Sequence, residues 1–203
     1  MKLYKLFTPE EAKELRENVE CLCTFDQGTT DTPGIVGTVK RNFEARNTML
    51  AQIIIDKLQA NREIAIDWLP YKFTTPRFNK YTEGDFYKPH VDAPYMGELR
   101  TDIAYTLWLS DPQEYDEGYL IVGDEEWKGN PGTIAIYDCN EIHQVTQITK
   151  GSRICVIGWI QSWVKDKEER HLLSRFRWWL DEFKTIPEKG NYLYTTLCKR
   201  WFG

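Results

Sequence analysis

His90 and Asp92 stand one residue apart at the end of the run Tyr81-Thr82-Glu83-Gly84-Asp85-Phe86-Tyr87-Lys88-Pro89-His90-Val91-Asp92, and both side chains can ligate a metal ion. On a strand, residues i and i+2 share a face, so imidazole and carboxylate could close on one ion; on a helix they would diverge. Phe86, Tyr87 and Val91 favour a strand, and Pro89 places it at an edge or a bend. His143 lies downstream in a second apolar, Gly-bounded region. Two histidines and one carboxylate can occupy one side of a divalent cation and leave the opposite positions open, the facial triad of non-haem iron chemistry. A single histidine is more often structural, so the grouping depends on what accompanies it.

Arg153 is that companion. It follows His143 by ten positions and opens a stretch, Ile154 to Ile160, in which Ile154, Val156, Ile157, Trp159 and Ile160 are apolar. Such a strand is buried, and a buried guanidinium requires an anion. The planar fork binds a carboxylate through two hydrogen bonds and stays charged in a dry site. A metal beside a carboxylate anchor suits an oxygenase that uses 2-oxoglutarate. Tyr81 and Tyr87, ordinary strand aromatics otherwise, could give hydroxyls to the same carboxylate or line the pocket. The plainer reading makes Arg153 a surface residue after the Lys150-Gly151-Ser152 turn. His171, within Glu168-Glu169-Arg170-His171, belongs to a solvated helix face and takes no role.

The elements that must position these residues can be read from period and punctuation. Thr8-Pro9-Glu10-Glu11 is a capping box with Pro at the first helical position, and Ala12, Leu15, Val19 and Leu22 continue at helical spacing. Phe25 to Gly37 reads as a loop. A second helix is predicted over about Glu44 to Gln59, burying Met49, Leu50, Ile53, Ile54 and Leu58. Ile64 to Leu69, Phe73 to Tyr81 and Asp85 to Asp92 then read as strands. Thr101 to Ser110 places Ile103, Tyr105, Leu107 and Leu109 on one face and Ala104, Thr106 and Trp108 on the other, as in a strand covered on both sides. Short strands recur at Tyr119–Val122, Thr133–Tyr137, His143–Ile148 and Arg153–Trp163, separated by Pro- and Gly-containing turns. That spacing implies a sandwich or barrel. A helix is predicted from Asp166 to about Phe183, and the aromatics of the tail, Tyr192, Tyr194, Trp201 and Phe202, suggest that it docks.

The totals bound the alternatives. With 203 residues the chain can bury one sizeable core. Its net charge of −5 argues against a broad nucleic-acid surface. The five cysteines (Cys21, Cys23, Cys139, Cys155 and Cys198) are odd in number and irregularly spaced, as for reduced thiols of a cytoplasmic protein. No run approaches the roughly 20 apolar residues of a membrane span, and the first residues lack a signal-peptide pattern. An acidic surface with exposed aromatics would suit a basic, Pro-containing segment as substrate.

Three blocks resemble the PKHD-type hydroxylases, prolyl-4-hydroxylase-like members of the Fe(II)/2-oxoglutarate oxygenases. They are Asn79-Lys80-Tyr81 through His90-Val91-Asp92, Arg100 through Pro112 with Tyr115-Asp116, and His143-Gln144-Val145-Thr146 through Arg153 to Ser162. Val39-Lys40-Arg41-Asn42 adds a weaker match, and the whole spans about residues 39 to 170. The resemblance implies a double-stranded β-helix (jelly-roll) core with flanking helices, a mainly β, α+β fold. It implies iron at His90, Asp92 and His143 and 2-oxoglutarate at Arg153, with O2 as oxidant and ascorbate as a compatible reductant. Oxidative decarboxylation of 2-oxoglutarate would drive hydroxylation of an unactivated C–H, by analogy a prolyl side chain of a protein or peptide; a small-molecule substrate stays open. One departure is Glu117-Gly118-Tyr119-Leu120, where the family pattern has Gly-Gly-Glu-Leu. The expected layout is an oxygenase domain over 1–163, with 164–203 packed on it as a helix and aromatic tail. A homodimer covered by that tail is compatible with the sequence. Two other classes compete: a zinc hydrolase, which has no use for Arg153, and a non-catalytic jelly-roll binding module, which would not need all four residues.

Overall fold

A computed structural model describes residues 1–28 and 39–203, so most of the expected Phe25–Gly37 loop lies outside the described residues. The chain begins with β1 (Lys2–Lys5), α1 (Pro9–Leu22), β2 (Asp26–Gln27), β3 (Lys40–Arg41), β4 (Phe43–Ala45), α2 (Thr48–Ala60) and α3 (Arg62–Trp68). Next come β5 (Pro70–Phe73), β6 (Arg77–Thr82), β7 (Phe86–His90), and the small hairpin β8 (Tyr95–Met96) and β9 (Leu99–Arg100). β10 (Ile103–Trp108), β11 (Tyr115–Glu117), β12 (Leu120–Val122) and β13 (Glu125–Trp127) follow. β14 (Thr133–Asp138), β15 (His143–Val145), β16 (Ile148–Ser162), α4 (Lys167–Asp181) and α5 (Glu188–Trp201) complete the order.

Apart from the β8–β9 hairpin, these strands build two antiparallel sheets. The larger runs β1-β14-β10-β16-β6-β4-β2, with β5 and β11 also on β16; the smaller runs β13-β12-β15-β7-β3. From β6 onward the chain alternates between them: β6 in the larger, β7 in the smaller, β10 larger, β12 and β13 smaller, β14 larger, β15 smaller, β16 larger. This is the winding of a double-stranded β-helix. β10 is buried throughout because it is covered on both faces. Ile103, Tyr105 and Leu107 pack with Leu15, Val19, Leu50, Ile54 and Leu58 of the helices. Ala104 and Trp108 turn inward, against Leu120, Val122 and Tyr137.

The helices cover the outer face of the larger sheet. Thr8 accepts from the Glu11 amide at 3.2 Å and Glu11 accepts from the Thr8 amide at 2.9 Å, closing the expected capping box. Ala12, Leu15 and Val19 are buried, and the stripe ends before Leu22, which is exposed. α2 starts at Thr48 rather than near Glu44, because Asn47 caps it and Phe43–Ala45 is drawn into a strand against β6. Leu50, Ile54 and Leu58 are buried, whereas Met49 and Ile53 are exposed.

Ile64 to Leu69, expected as a strand, forms α3. Asn61 starts it by accepting from the Ile64 amide at 3.0 Å. Ile64, Ile66, Asp67 and Trp68 are all buried, so the helix is covered on most of its surface and shows no one-sided stripe. Asp67 is compensated by Tyr4 Oη at 2.7 Å, Trp178 Nε1 at 2.8 Å, Ser174 Oγ at 2.9 Å and Lys2 Nζ at 3.0 Å. Burial alone would raise its pKa, but the hydrogen bonds from Trp178, Tyr4, Lys2 and Ser174 outweigh it and the pKa is lowered. Thus one carboxylate ties β1, α3 and α4 together. Beyond β16, Leu69, Val164 and Leu173 form a separate cluster with Tyr194, Leu197, Cys198 and Trp201 of α5. Among the described residues no helix is long and apolar enough to cross a membrane.

Candidate functional site

The winding brings His90 and His143 together although they stand 53 positions apart in the chain. β7 and β15 are neighbours in the smaller sheet, and His90 pairs directly with His143 across them. The two ring centroids lie 4.2 Å apart. Asp92 follows just past the end of β7, with its Oδ2 at 3.7 Å from His143 Nε2. One ligand atom from each of His90, Asp92 and His143 lies within 4.8 Å of the others.

The surroundings of these groups fit a bound cation. His90 Nδ1 lies 2.8 Å from Lys88 O and His143 Nδ1 3.0 Å from Glu141 O. A carbonyl oxygen only accepts, so each Nδ1 carries the proton and each Nε2 keeps its lone pair for a metal. Tyr87 stacks on His90 with centroids 3.6 Å apart and planes at 16°, fixing the ring further. Tyr137 holds the other imidazole from 5.1 Å. Burial and the facing His143 push the His90 pKa down to about 4, so it is neutral at physiological pH. Asp92 Oδ2 is buried without a hydrogen-bond partner. Burial raises the Asp92 pKa, opposed by His143, Trp159 and Cys139. A divalent ion would hold that carboxylate ionised.

Across the cavity, β16 and β6 pair Arg153 with Tyr81, Cys155 with Asn79, and Ile157 with Arg77. Arg153 is 1% exposed. Its Nη1 lies 3.2 Å from Cys155 Sγ, and its Nε and Nη2 are buried with no partner. The Tyr81 ring lies 5.3 Å from the guanidinium carbon. Burial opposes the charge, while Cys155, Tyr115 and Tyr81 favour it, and the pKa is raised. A guanidinium this deeply buried, met only by a thiol and the Tyr115 hydroxyl, has the donors to take a carboxylate. The turn that carries Tyr81 into β7 depends on Gly84, whose φ of +86° suits only a residue without Cβ. Asp85 anchors that turn by accepting from Thr82 N at 2.8 Å and Thr82 Oγ1 at 2.9 Å.

All three triad candidates, with Tyr81 and Tyr87, line or bound one cavity of about 380 Å³ between the sheets. Tyr87 faces His90, and Tyr81 faces Arg153. His171 sits apart, edge-on to Trp68. The sequence reading passed over Lys40, Arg77, Asn79, Thr106 and Trp159, which also line the cavity. Period two from Tyr81 back through Asn79 to Arg77 carried that signal for β6. Trp159 shares the inward face of β16 with Arg153 in the same way.

Comparison with known proteins agrees with this geometry. Residues 76–161 match the model of the 2OG-Fe(II) oxygenase superfamily. A PKHD-type hydroxylase of Prochlorococcus marinus (strain MIT 9211) is 32% identical over 183 residues, covering 84% of this chain and 82% of that protein. One from Idiomarina loihiensis is 36% identical over 156 residues, covering 73% and 72%. Among solved structures, a viral collagen prolyl hydroxylase from Paramecium Bursaria Chlorella virus-1 in complex with 2OG aligns with a TM-score of 0.59 at 14% identity, covering 79% of this chain and 95% of that one. A Trichoplax adhaerens prolyl hydroxylase bound to a peptide fragment of hypoxia inducible factor aligns with a TM-score of 0.58 at 14% identity, covering 85% and 86%. These last two likenesses concern the fold.

Proposed function

Because the chain belongs to the PKHD-type hydroxylases of the 2OG-Fe(II) oxygenase superfamily, we propose that His90, Asp92 and His143 hold its Fe(II) and that Arg153 anchors its 2-oxoglutarate. The enzyme is a dioxygenase: 2-oxoglutarate, O2 and a C–H group give succinate, CO2 and the hydroxylated product. Fe(II), when bound, supplies the oxygen activation that links decarboxylation to hydroxylation.

The observation that carries the assignment is a set of three metal-ready ligand atoms on one cavity, with a buried guanidinium directly behind Tyr81 in its wall. The cavity is lined by two Nε2 lone pairs and an unpartnered carboxylate oxygen; behind Tyr81, which pairs with Arg153 across β6 and β16, are the guanidinium Nε and Nη2. Neutral imidazoles ligate without first losing a proton, and the Asp92 carboxylate offsets part of the metal's charge. Arg153 takes the far carboxylate of the cosubstrate, with Tyr81 as the wall beside it. That fixes the opposite end of a short dicarboxylate towards the histidines. Tyr87 holds His90 in register. The apolar lining from Ala104, Leu120, Val145 and Ile157 keeps bulk water from the reacting centre.

We place the reaction on a protein or peptide side chain, prolyl by analogy with the fold neighbours. The five unbridged cysteines suit a reducing, cytoplasmic setting. The test is succinate release by Fe(II)-loaded variants. Arg153→Ala loses activity that excess 2-oxoglutarate partly restores, whereas His143→Ala is not restored. Equal loss in both, with no rescue in either, would sink the assignment.

A further inference from the structure

Resting on that assignment, we propose that the groove beside the cavity recognises an acidic peptide segment flanking the hydroxylated residue, and that Arg46, Lys72 and Arg77 set this preference. The groove has a volume of about 750 Å³ and lies between the β8–β9 hairpin, the end of β5 and the start of β6. It adjoins the cavity, with Arg77, Met96 and Trp159 lining both. Thr74 fastens this shared wall: its amide donates to Trp159 O at 3.0 Å, and its Oγ1 accepts from the Trp159 amide at 3.0 Å. A chain seated in the groove therefore lies next to the cavity that holds His90, Asp92 and His143.

The charge there is opposite to that of the whole chain. The net charge of the protein is −5, yet the groove is lined by Arg46, Lys72 and Arg77 against the single carboxylate of Glu98. Arg77 stands innermost, with its guanidinium carbon 5.2 Å from the Trp159 ring centre. Glu44 lies 3.7 Å from it, but the same carboxylate also binds Lys40 Nζ, so one anion is divided between two cations. Arg46 and Lys72 are exposed, and among the described residues neither has an ion-pair partner. Lys72 rests over the Tyr71 ring, and Tyr95 forms an exposed aromatic wall. Cations of one sign around a concave mouth raise the local concentration of anionic ligands and orient them on approach. A wide, open groove with an aromatic wall suits an extended peptide carrying Asp or Glu.

The test measures binding without turnover. Fluorescently labelled peptides centred on Pro, identical except for flanking Glu, Gln or Lys, are titrated into Fe(II)- and 2-oxoglutarate-loaded protein without oxygen, and anisotropy is read. The Glu peptide binds about three- to tenfold more tightly than the Gln peptide, and the Lys peptide most weakly, with the gap shrinking as salt rises. Arg46→Gln with Lys72→Gln reduces the preference, and Lys72→Glu moves it towards the Lys peptide. Equal affinities, a preference for Lys, or no peptide binding would overturn the inference. Binding of a small dicarboxylate but of none of the peptides would equally remove the peptide as occupant. The absorption of metal-chelated 2-oxoglutarate, recorded on the same samples, separates the two levels. If it is missing, the metal assignment fails; if it is present without charge preference, only the groove assignment fails.

Discussion

Among the described residues two arginines are almost completely buried, each 1% exposed, and their surroundings differ. Arg170, on α4, binds the Asp138 carboxylate through Nη2 and donates from Nη1 to Val164 O at 2.8 Å and Lys165 O at 3.2 Å. Only its Nε lacks a partner. Arg153 has a thiol at one nitrogen and the Tyr115 hydroxyl near its guanidinium, with no carboxylate or carbonyl among the described residues to receive its charge. Both lie in the dry interior, where an unpaired charge is costly. Arg170 fastens α4 to β14 of the β-helix with its charge compensated inside the chain. Arg153 keeps its binding capacity for something from outside. A buried cation whose counter-ion comes with the chain is part of the fold, and one whose counter-ion is missing marks a site.

That contrast can be broken at either end. Asp138→Ala strands the Arg170 charge and should cost about 3–5 kcal/mol of stability, measured by urea unfolding; a variant as stable as wild type would mean that Arg170 is not tied down in this way. Arg153→Met should do the reverse. It removes an uncompensated buried charge, so stability stays level or rises, while 2-oxoglutarate binding weakens about 100-fold with loss of the charge-assisted bonds. Destabilisation with unchanged 2-oxoglutarate affinity would place Arg153 among the structural residues.

Asp67 sharpens the comparison as a second compensated group. Its pKa is lowered in the fold, so the stability it contributes is fully present above the ordinary carboxylate value of 3.8 and is lost as pH falls through the folded pKa. Asp67→Asn should therefore cost about 2 kcal/mol near neutral pH, with the difference from wild type closing at acid pH. A gap that stays constant down to strong acid would contradict the charge-based account.

The smallest effect is expected at Glu117, which has a φ of +62° where the family pattern places glycine. Glu117→Gly should raise stability by up to about 1 kcal/mol by relieving the left-handed backbone. A loss of stability on thermal unfolding would show that the Glu117 side chain compensates for its backbone.

Much of the proposed metal site is marked in sequence because its signals are local. Strand period marks His-x-Asp as a pair, although β7 ends at His90 and Asp92 follows it, and Arg153 is marked by the apolar stretch that follows it. The pairing of His143 with His90 is set by strand order in the smaller sheet, which no spacing reveals. α3 misled the reading because Ile64, Ile66 and Trp68 alternate with Ala65 and Asp67 as a strand would. Only the capping by Asn61 and burial on most sides make that segment a helix. The partners of Asp67 lie between 63 and 111 residues away, beyond any local pattern. Net charge misleads in a related way, since it averages over the surface and conceals the cations gathered at the groove.

The most direct measurement is an anaerobic titration of the Fe(II)-loaded protein with 2-oxoglutarate, following the weak visible band of a chelated 2-oxo acid. Wild type, Arg153→Met and His143→Ala would be compared. The account predicts a band in wild type, the same band at about 100-fold higher 2-oxoglutarate in Arg153→Met, and none in His143→Ala. No band in folded, iron-loaded wild type, or an undiminished band in His143→Ala, would contradict it.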